Sequence, residues 1–126
     1  MIGTQILLVA LGGSAGSVIR YLIGRLLPVT NPASFPFGTL VVNITGCLLI
    51  GIFYGLSVKQ DWMTANMRLL LMTGFCGGFT TFSAFTLEGM NLLNNQQLIL
   101  FLLYFAVSII VGLSATFLGY WLIAKG

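Results

Sequence analysis

The sequence contains little charge and no histidine. Five of the 126 residues are Lys or Arg and two are Asp or Glu, so 6% of positions are charged, whereas a soluble globular domain carries about 25%. Without histidine, the two acids, Asp61 and Glu88, cannot complete a Ser–His–Asp triad or a zinc site of the usual kind. These absences argue against hydrolases and metalloenzymes, and we expect a protein that is not an enzyme.

Cysteine is also scarce. Cys47 and Cys76 are the only two, and each lies within an apolar run. Thiols in such surroundings usually behave as small buried hydrophobic groups. The two residues therefore say nothing about the redox compartment of the protein.

Apolar residues, by contrast, make up 58% of the chain. The few charged residues leave four uncharged stretches, each able to hold the about 20 helical residues that cross a bilayer core. We predict a single transmembrane domain, residues 1–126, with helices at about 4–27, 37–56, 68–93 and 97–125. The first stretch is too long for a signal-peptide core and has no preceding Lys or Arg, so we expect it to be retained.

The cations are spread almost evenly over the two sides of such a bundle. With four spans, Arg20 and Arg25 fall on one side, and Lys59, Arg68 and Lys125 fall on the other. Because Lys and Arg in short loops set membrane orientation, this balance predicts insertion in both orientations and an antiparallel dimer. The alternative is one orientation that is only weakly marked. Four helices leave little room for an aqueous path, so we expect any path to follow a subunit interface.

Small and polar residues recur at every fourth position of three spans, and therefore share a helix face. They are Gly12, Gly16, Arg20 and Gly24, then Thr39, Asn43, Cys47, Gly51 and Gly55, and finally Tyr104, Ser108, Gly112 and Thr116. Tight helix packing explains most of the glycines. Asn43 either bonds a neighbouring helix or lines a water-filled cavity. Arg20 either anchors its helix at the membrane interface or forms an electropositive vestibule that attracts anions.

The third span carries unusual chemistry near its middle. Gly77 and Gly78 are followed by the β-branched Thr80 and Thr81, a combination that disfavours a continuous helix. We predict a break near 77–81. Irregular backbone at membrane depth is tolerated only inside protein or beside a cavity, and transport proteins use such breaks to bind ions. A kink that serves packing alone is the competing interpretation.

Hydroxyl and phenyl groups surround this break. The hydroxyls of Thr80, Thr81 and Ser83 can donate hydrogen bonds, and Phe82 and Phe85 can present the positive edges of their rings to an anion. A cation is absent from the middle of the span, which suits conduction because a permeating ion must also be released. These groups favour an anion pathway without identifying the anion.

Three segments of the chain resemble the Fluc fluoride channels, also called the CrcB family. They are GGSAGSVIRY at 12–21, GTLVVNITG at 38–46 and GFCGGFTTFSAF at 74–85. The third segment is the most specific, and with the four-span layout the resemblance covers nearly the whole chain. Ala84 stands where the family often has Thr, a small change that we expect leaves the pathway intact.

The resemblance implies an all-α membrane protein of four transmembrane helices, the third broken mid-membrane, that forms an antiparallel, dual-topology homodimer. Such a dimer has two pores, conducts fluoride in preference to chloride, and exports cytoplasmic fluoride passively across the bacterial inner membrane, which confers fluoride resistance. In the family the residues that match Asn43, Phe82, Ser83 and Phe85 lie along the ion path, and a polar track corresponds to Thr81 and Ser83, with Tyr104 and Ser108 as weaker candidates. A structural sodium ion at the dimer centre would bind the backbone carbonyls of Gly77 and Thr80.

Three other functions compete with this one. A proton-coupled small multidrug exporter also has four short helices but needs a titratable carboxylate deep in a span. Glu88 is the only candidate, and its position beyond the hydroxyl cluster favours a helix-end role instead. A cation channel could use the carbonyls of the break, and a holin-like assembly would transport no ion as a dimer.

Overall fold

The computed structural model describes residues 1–126 and consists entirely of helices joined by short loops. Helix α1 covers Ile2–Leu26, α2 covers Phe37–Lys59, and the last helix, α6, covers Leu98–Lys125. Between α2 and α6 lies a segmented third span, Ala65–Asn94. All four spans are long and apolar enough to cross a membrane. The prediction of four apolar spans is therefore confirmed.

The second and third spans extend beyond the predicted limits for local reasons. Helix α2 continues from Leu56 to Lys59, whose ammonium donates to the carbonyl of Ile123 at 3.2 Å and so ties the two helix ends together. The third span begins three residues early because Thr64 caps it: the Thr64 hydroxyl accepts from the amide of Met67 at 3.3 Å. A threonine in this position satisfies an amide that otherwise lacks a partner.

The third span changes its winding twice before it breaks. Short helix α3, Ala65–Arg68, runs into a π-helical segment, Leu69–Cys76, which is followed by α4, Gly77–Phe79. Thr80 and Thr81 are extended, and α5, Phe82–Asn94, resumes the span. The predicted break is confirmed, but Gly77 and Gly78 remain helical and the two threonines alone leave the helix. Thr81 then caps α5 by accepting from the amide of Ala84 at 3.1 Å.

Glycines allow the first span to lie directly against the third. A Cβ atom on Gly12 would overlap the carbonyl oxygen of Leu70, and one on Gly16 would overlap that of Phe75. Small residues permit this close approach of two backbones in a membrane. The packing explanation for these two glycines is confirmed, and the contact holds the first half of the third span on α1 while α2 packs on α6.

Candidate ion pathway

A cavity of about 450 Å³ opens beside the break, between α2, α6 and the third span. Five of the residues predicted to line an ion path border it: Asn43, Thr81, Phe82, Phe85 and Ser108. All the side chains on its wall are uncharged. The structure therefore brings together residues from three spans that lie far apart in the sequence.

Asn43 holds the broken backbone in place. Its Nδ2 donates to the carbonyl of Thr81 at 3.0 Å, and its Oδ1 accepts from the amide of the same residue at 2.9 Å. In a continuous helix that amide would donate to the carbonyl of Gly77. Asn43 thus bonds a neighbouring span, as one interpretation predicted, and it also borders the cavity. Since an amide group has two N–H donors, one remains for another acceptor.

The two phenylalanines of the break occupy different environments. Their ring centroids are 5.8 Å apart with the planes inclined by 43°. Phe85 is buried and stacks on Phe105 at 4.2 Å, with Tyr104 at 5.1 Å. Phe82, in contrast, is 77% exposed. Within one chain, therefore, Phe85 has a fixed ring and Phe82 faces outward from the bundle.

Ser108 carries an unpaired hydroxyl. Its Oγ is buried and has no hydrogen-bond partner, the only side-chain nitrogen or oxygen in the chain for which this is true. It borders the same cavity as Phe85 and Asn43. A buried polar group without a partner costs about 1–3 kcal/mol, and this hydroxyl is a donor beside the cavity that no neighbouring side chain or backbone group occupies.

The hydroxyls of the predicted track on the third span are arranged differently. The Oγ1 of Thr81 accepts from the amide of Ala84 and lies 3.4 Å from the Oγ of Ser83. Ser83 is exposed on the outside of the bundle. Thr81 is therefore occupied in capping α5, while Ser83, like Phe82, is exposed.

Glu88 takes part in a hydroxyl network that the sequence analysis did not predict. Its Oε2 accepts from the hydroxyl of Thr39 at 2.8 Å, and its Oε1 accepts from that of Tyr104 at 2.9 Å. The helix-end role expected for Glu88 is wrong, because the residue lies inside α5 and joins it to α2 and α6. The sequence offered one partial signal for this network. Thr39 shares a helix face with Asn43, and Tyr104 shares one with Ser108, because each pair is four residues apart.

The side chain of Arg20 reaches the break in the third span. Its Nε donates to the carbonyl of Gly78 at 3.1 Å, and the hydroxyl of Ser17 lies 3.4 Å from the same oxygen. The last carbonyls of a helix lack amide partners and carry partial negative charge, so a cation there is stabilising. Arg20 thereby satisfies the carboxyl end of the first half of the third span.

The carbonyls of Gly77 and Thr80 have the chemistry that a sodium ion requires. The amide and hydroxyl of Thr80 both donate to the carbonyl of Cys76, at 3.0 and 2.9 Å. The Thr81 amide, which would otherwise bond the Gly77 carbonyl, is held by Asn43. Carbonyl oxygens are hard ligands that suit hard cations. One chain contributes two of them, so a complete shell of oxygens would need a second chain.

Comparison with known proteins agrees with this architecture. The family model described as "CrcB-like protein, Camphor Resistance (CrcB)" matches residues 7–120. A protein of Flavobacterium psychrophilum named fluoride-specific ion channel FluC is 45% identical over 111 residues, which cover 88% of this chain and 90% of that protein. Proteins of the same name from Gloeothece citriformis and Rhizobium etli are 45% and 46% identical, and cover 97% and 91% of this chain and 98% and 92% of their own lengths. With these matches and its four apolar spans, the chain belongs to the CrcB family, as a multi-pass protein of the bacterial inner membrane.

Proposed function

We propose that this protein is a fluoride channel, not an enzyme, and that it releases cytoplasmic fluoride passively and in preference to chloride. The observation that carries the proposal is the unpaired hydroxyl of Ser108 beside an uncharged cavity that Phe85 and Asn43 also border. Relatives over nearly the full length are named fluoride-specific ion channels, which supports the same conclusion.

The chemistry of the cavity suits a small anion that must lose its water. Ser108 and Asn43 supply hydrogen-bond donors, and the phenyl rings of Phe82 and Phe85 can supply positive edges. No Lys or Arg on the wall would trap the ion. An ion bound by dipoles alone is held strongly enough to enter and weakly enough to leave, the balance that conduction requires.

Export through such a path needs no coupled energy source. Fluoride that enters as hydrogen fluoride dissociates in the cytoplasm, and a potential of about 100 mV favours the exit of one negative charge by about 2.3 kcal/mol. Because about 1.4 kcal/mol corresponds to a factor of ten, this sustains a gradient of roughly fiftyfold. A passive channel is therefore sufficient for fluoride resistance.

The exposed side of the break supports a homodimer. Gly77, Phe82 and Ser83 are all exposed at the depth of the irregular backbone, and such backbone is not tolerated against lipid. A second copy of the chain would cover it. The balanced cations favour an antiparallel copy, and that symmetry gives two equivalent pores. At the centre, the carbonyls of Gly77 and Thr80 from both copies would hold the structural sodium ion.

The transport proposal is tested with purified protein in liposomes loaded with potassium fluoride or potassium chloride. With valinomycin present, an external ion-selective electrode should record fast fluoride loss and chloride loss at the level of protein-free liposomes. Replacing external sodium with a large organic cation should leave the rate of fluoride loss unchanged. This result would separate an anion channel from a cation channel. Equal loss of both halides would contradict the proposed selectivity.

The antiparallel arrangement is tested by labelling single cysteines in a Cys47→Ser/Cys76→Ser background. Ser34→Cys lies in the first loop and Gln60→Cys in the second, on opposite sides of the bundle, and both positions are exposed. A membrane-impermeant maleimide added outside intact cells should label about half of the copies at either position. As a control, two lysines added to the second loop should hold that loop on the cytoplasmic side. The labelling should then shift toward the first-loop position, Ser34→Cys. Full labelling at one position and none at the other in the unbiased protein would exclude dual topology.

A further inference from the structure

A row of aromatic rings runs from the cavity to the first loop. Phe85, which borders the cavity, has its ring centroid 5.1 Å from that of Tyr104. The Tyr104 ring in turn lies 5.5 Å from that of Phe35, with the two planes inclined by 77°. Aromatic pairs favour this edge-on arrangement. Phe35 precedes α2, so the row ends at a side chain of the loop between the first two spans.

The helix directions place this row between the cavity and the side of the first loop. Asn43 and Ser108 border the cavity, and Thr39 and Tyr104 each lie about one turn nearer to the start of the same helix. Helix α2 starts at the first loop and α6 at the third, and these two loops share one side of a bundle of four spans. An ion that leaves the cavity toward this side therefore crosses the level of Tyr104.

Three rings enclose Tyr104 at that level. Its side chain is 0% exposed, although its hydroxyl is polar and donates to Glu88. Phe85 and Phe105, whose centroids lie 5.1 and 5.9 Å away, belong to membrane-spanning helices. Phe35 is half-buried on the same cluster and is the only one of the three that comes from a loop. It is thus the outermost ring of the row.

The backbone on both sides of Phe35 is held by the bundle. The next residue, Pro36, is fully buried, and a residue that precedes proline is restricted to extended conformations. The two ends of the loop also touch, since the carbonyl oxygen of Leu27 lies 2.8 Å from the position of a Cβ on Gly38. Rotation of the Phe35 ring about its side-chain bonds is therefore a smaller motion than opening of the loop.

We propose that Phe35 is a gate at the first-loop end of the fluoride path, an inference that rests on the proposed channel function. Its ring covers Tyr104 at rest and turns aside when an ion passes between the cavity and the water on this side. The ring carries no charge and no hydrogen-bond donor. It therefore limits how fast ions pass, while the donors beside the cavity determine which anion enters.

Single-channel currents in planar bilayers, with sodium fluoride on both sides, test the gate. The current through one channel does not depend on how much of the protein has folded, so a structural defect cannot imitate a larger current. Phe35→Ala should carry about threefold to tenfold more current than the unmodified protein, the factor that corresponds to the loss of one aromatic pair. Phe35→Trp should carry less. Phe117→Ala is the matched control and should change nothing, because Phe117 is 66% exposed on α6 and lies outside the cavity wall.

The same recordings in sodium chloride separate a gate from a leak. Phe35→Ala should carry no more chloride current than the unmodified protein, because the cavity is unchanged. A chloride current as large as its fluoride current would overturn the gate. If Phe35→Ala forms no channels, Phe35→Leu decides instead, since a leucine is smaller than a phenyl ring and should also raise the fluoride current.

The unmodified protein separates this proposal from the channel function. If it conducts fluoride and neither smaller residue at position 35 raises the current, the channel stands and the gate is rejected. If it carries no fluoride current in the bilayer, the channel function is rejected and the gate with it.

Discussion

Asn43→Leu is expected to abolish fluoride efflux and to destabilise the protein by about 2–6 kcal/mol. The substitution removes both hydrogen bonds to the backbone of Thr81, and each buried backbone group left without a partner costs about 1–3 kcal/mol. The leucine side chain is similar in volume, so the loss is one of hydrogen bonding. Without these two hydrogen bonds, no side chain of a neighbouring span holds the backbone of Thr80 and Thr81 extended. The part of the cavity wall that these two residues form is then lost.

Thermal unfolding in detergent, followed by the fluorescence of Trp62 and Trp121, measures the first effect, and liposome efflux measures the second. Asn91→Leu is the matched control on α5, since the Asn91 side chain forms no hydrogen bond. Asn43→Asp keeps an oxygen for the Thr81 amide but loses the donor, so its stability should fall between those of Asn43→Leu and the unmodified protein. An Asn43→Leu protein as stable as Asn91→Leu would show that Asn43 does not hold the break.

The main outline of the fold follows from the sequence because membranes penalise charge so strongly. The positions of seven charged residues limit where spans can lie, and Asn43 attracts notice because an amide inside a span must find partners. The partners themselves depend on which helices touch. The bond from Arg20 to Gly78 crosses 58 residues of sequence and that from Thr39 to Glu88 crosses 49, and no local pattern contains such distances.

The position of the break shows the same limit on a smaller scale. Composition marks the whole run from Gly77 to Thr81 as poor helix, since glycine and threonine both have low helix propensity. Gly78 nevertheless stays helical because its backbone packs against Gly13, where a Cβ would not fit. Thr81 leaves the helix because Asn43 and the cap of α5 both bind it in extended form. Tertiary contacts thus keep glycine, the poorer helix former, in the helix and draw threonine out of it.

The network around Glu88 weakens the case for a drug exporter. Such a protein needs a carboxylate that faces the transport cavity and exchanges protons with it. Both carboxylate oxygens of Glu88 accept hydroxyl hydrogens from neighbouring helices, and Glu88 is absent from the cavity wall. The same network also occupies Tyr104, which leaves Ser108 as the free hydroxyl of α6 beside Phe85.

Ser108→Ala is expected to lower fluoride efflux by roughly tenfold to a hundredfold while leaving the protein at least as stable as before. A hydrogen bond to a charged group contributes about 1.5–3 kcal/mol, and about 1.4 kcal/mol is a factor of ten. The hydroxyl has no partner in the folded chain, so its removal breaks no internal contact. Flux and stability should therefore change independently, in contrast to Asn43→Leu, where both fall.

Ser114→Ala provides the matched control, because Ser114 lies on the same helix, is exposed, and is absent from the cavity wall. Fluoride efflux from liposomes and the midpoint of thermal unfolding are measured for both variants. Ser108→Thr keeps a hydroxyl and should retain more flux than Ser108→Ala, which separates loss of the donor from change of cavity shape. A Ser108→Ala protein that conducts like Ser114→Ala would mean that fluoride crosses the membrane without using this hydroxyl, and the path would then have to be sought at the exposed residues of the break, Phe82 and Ser83.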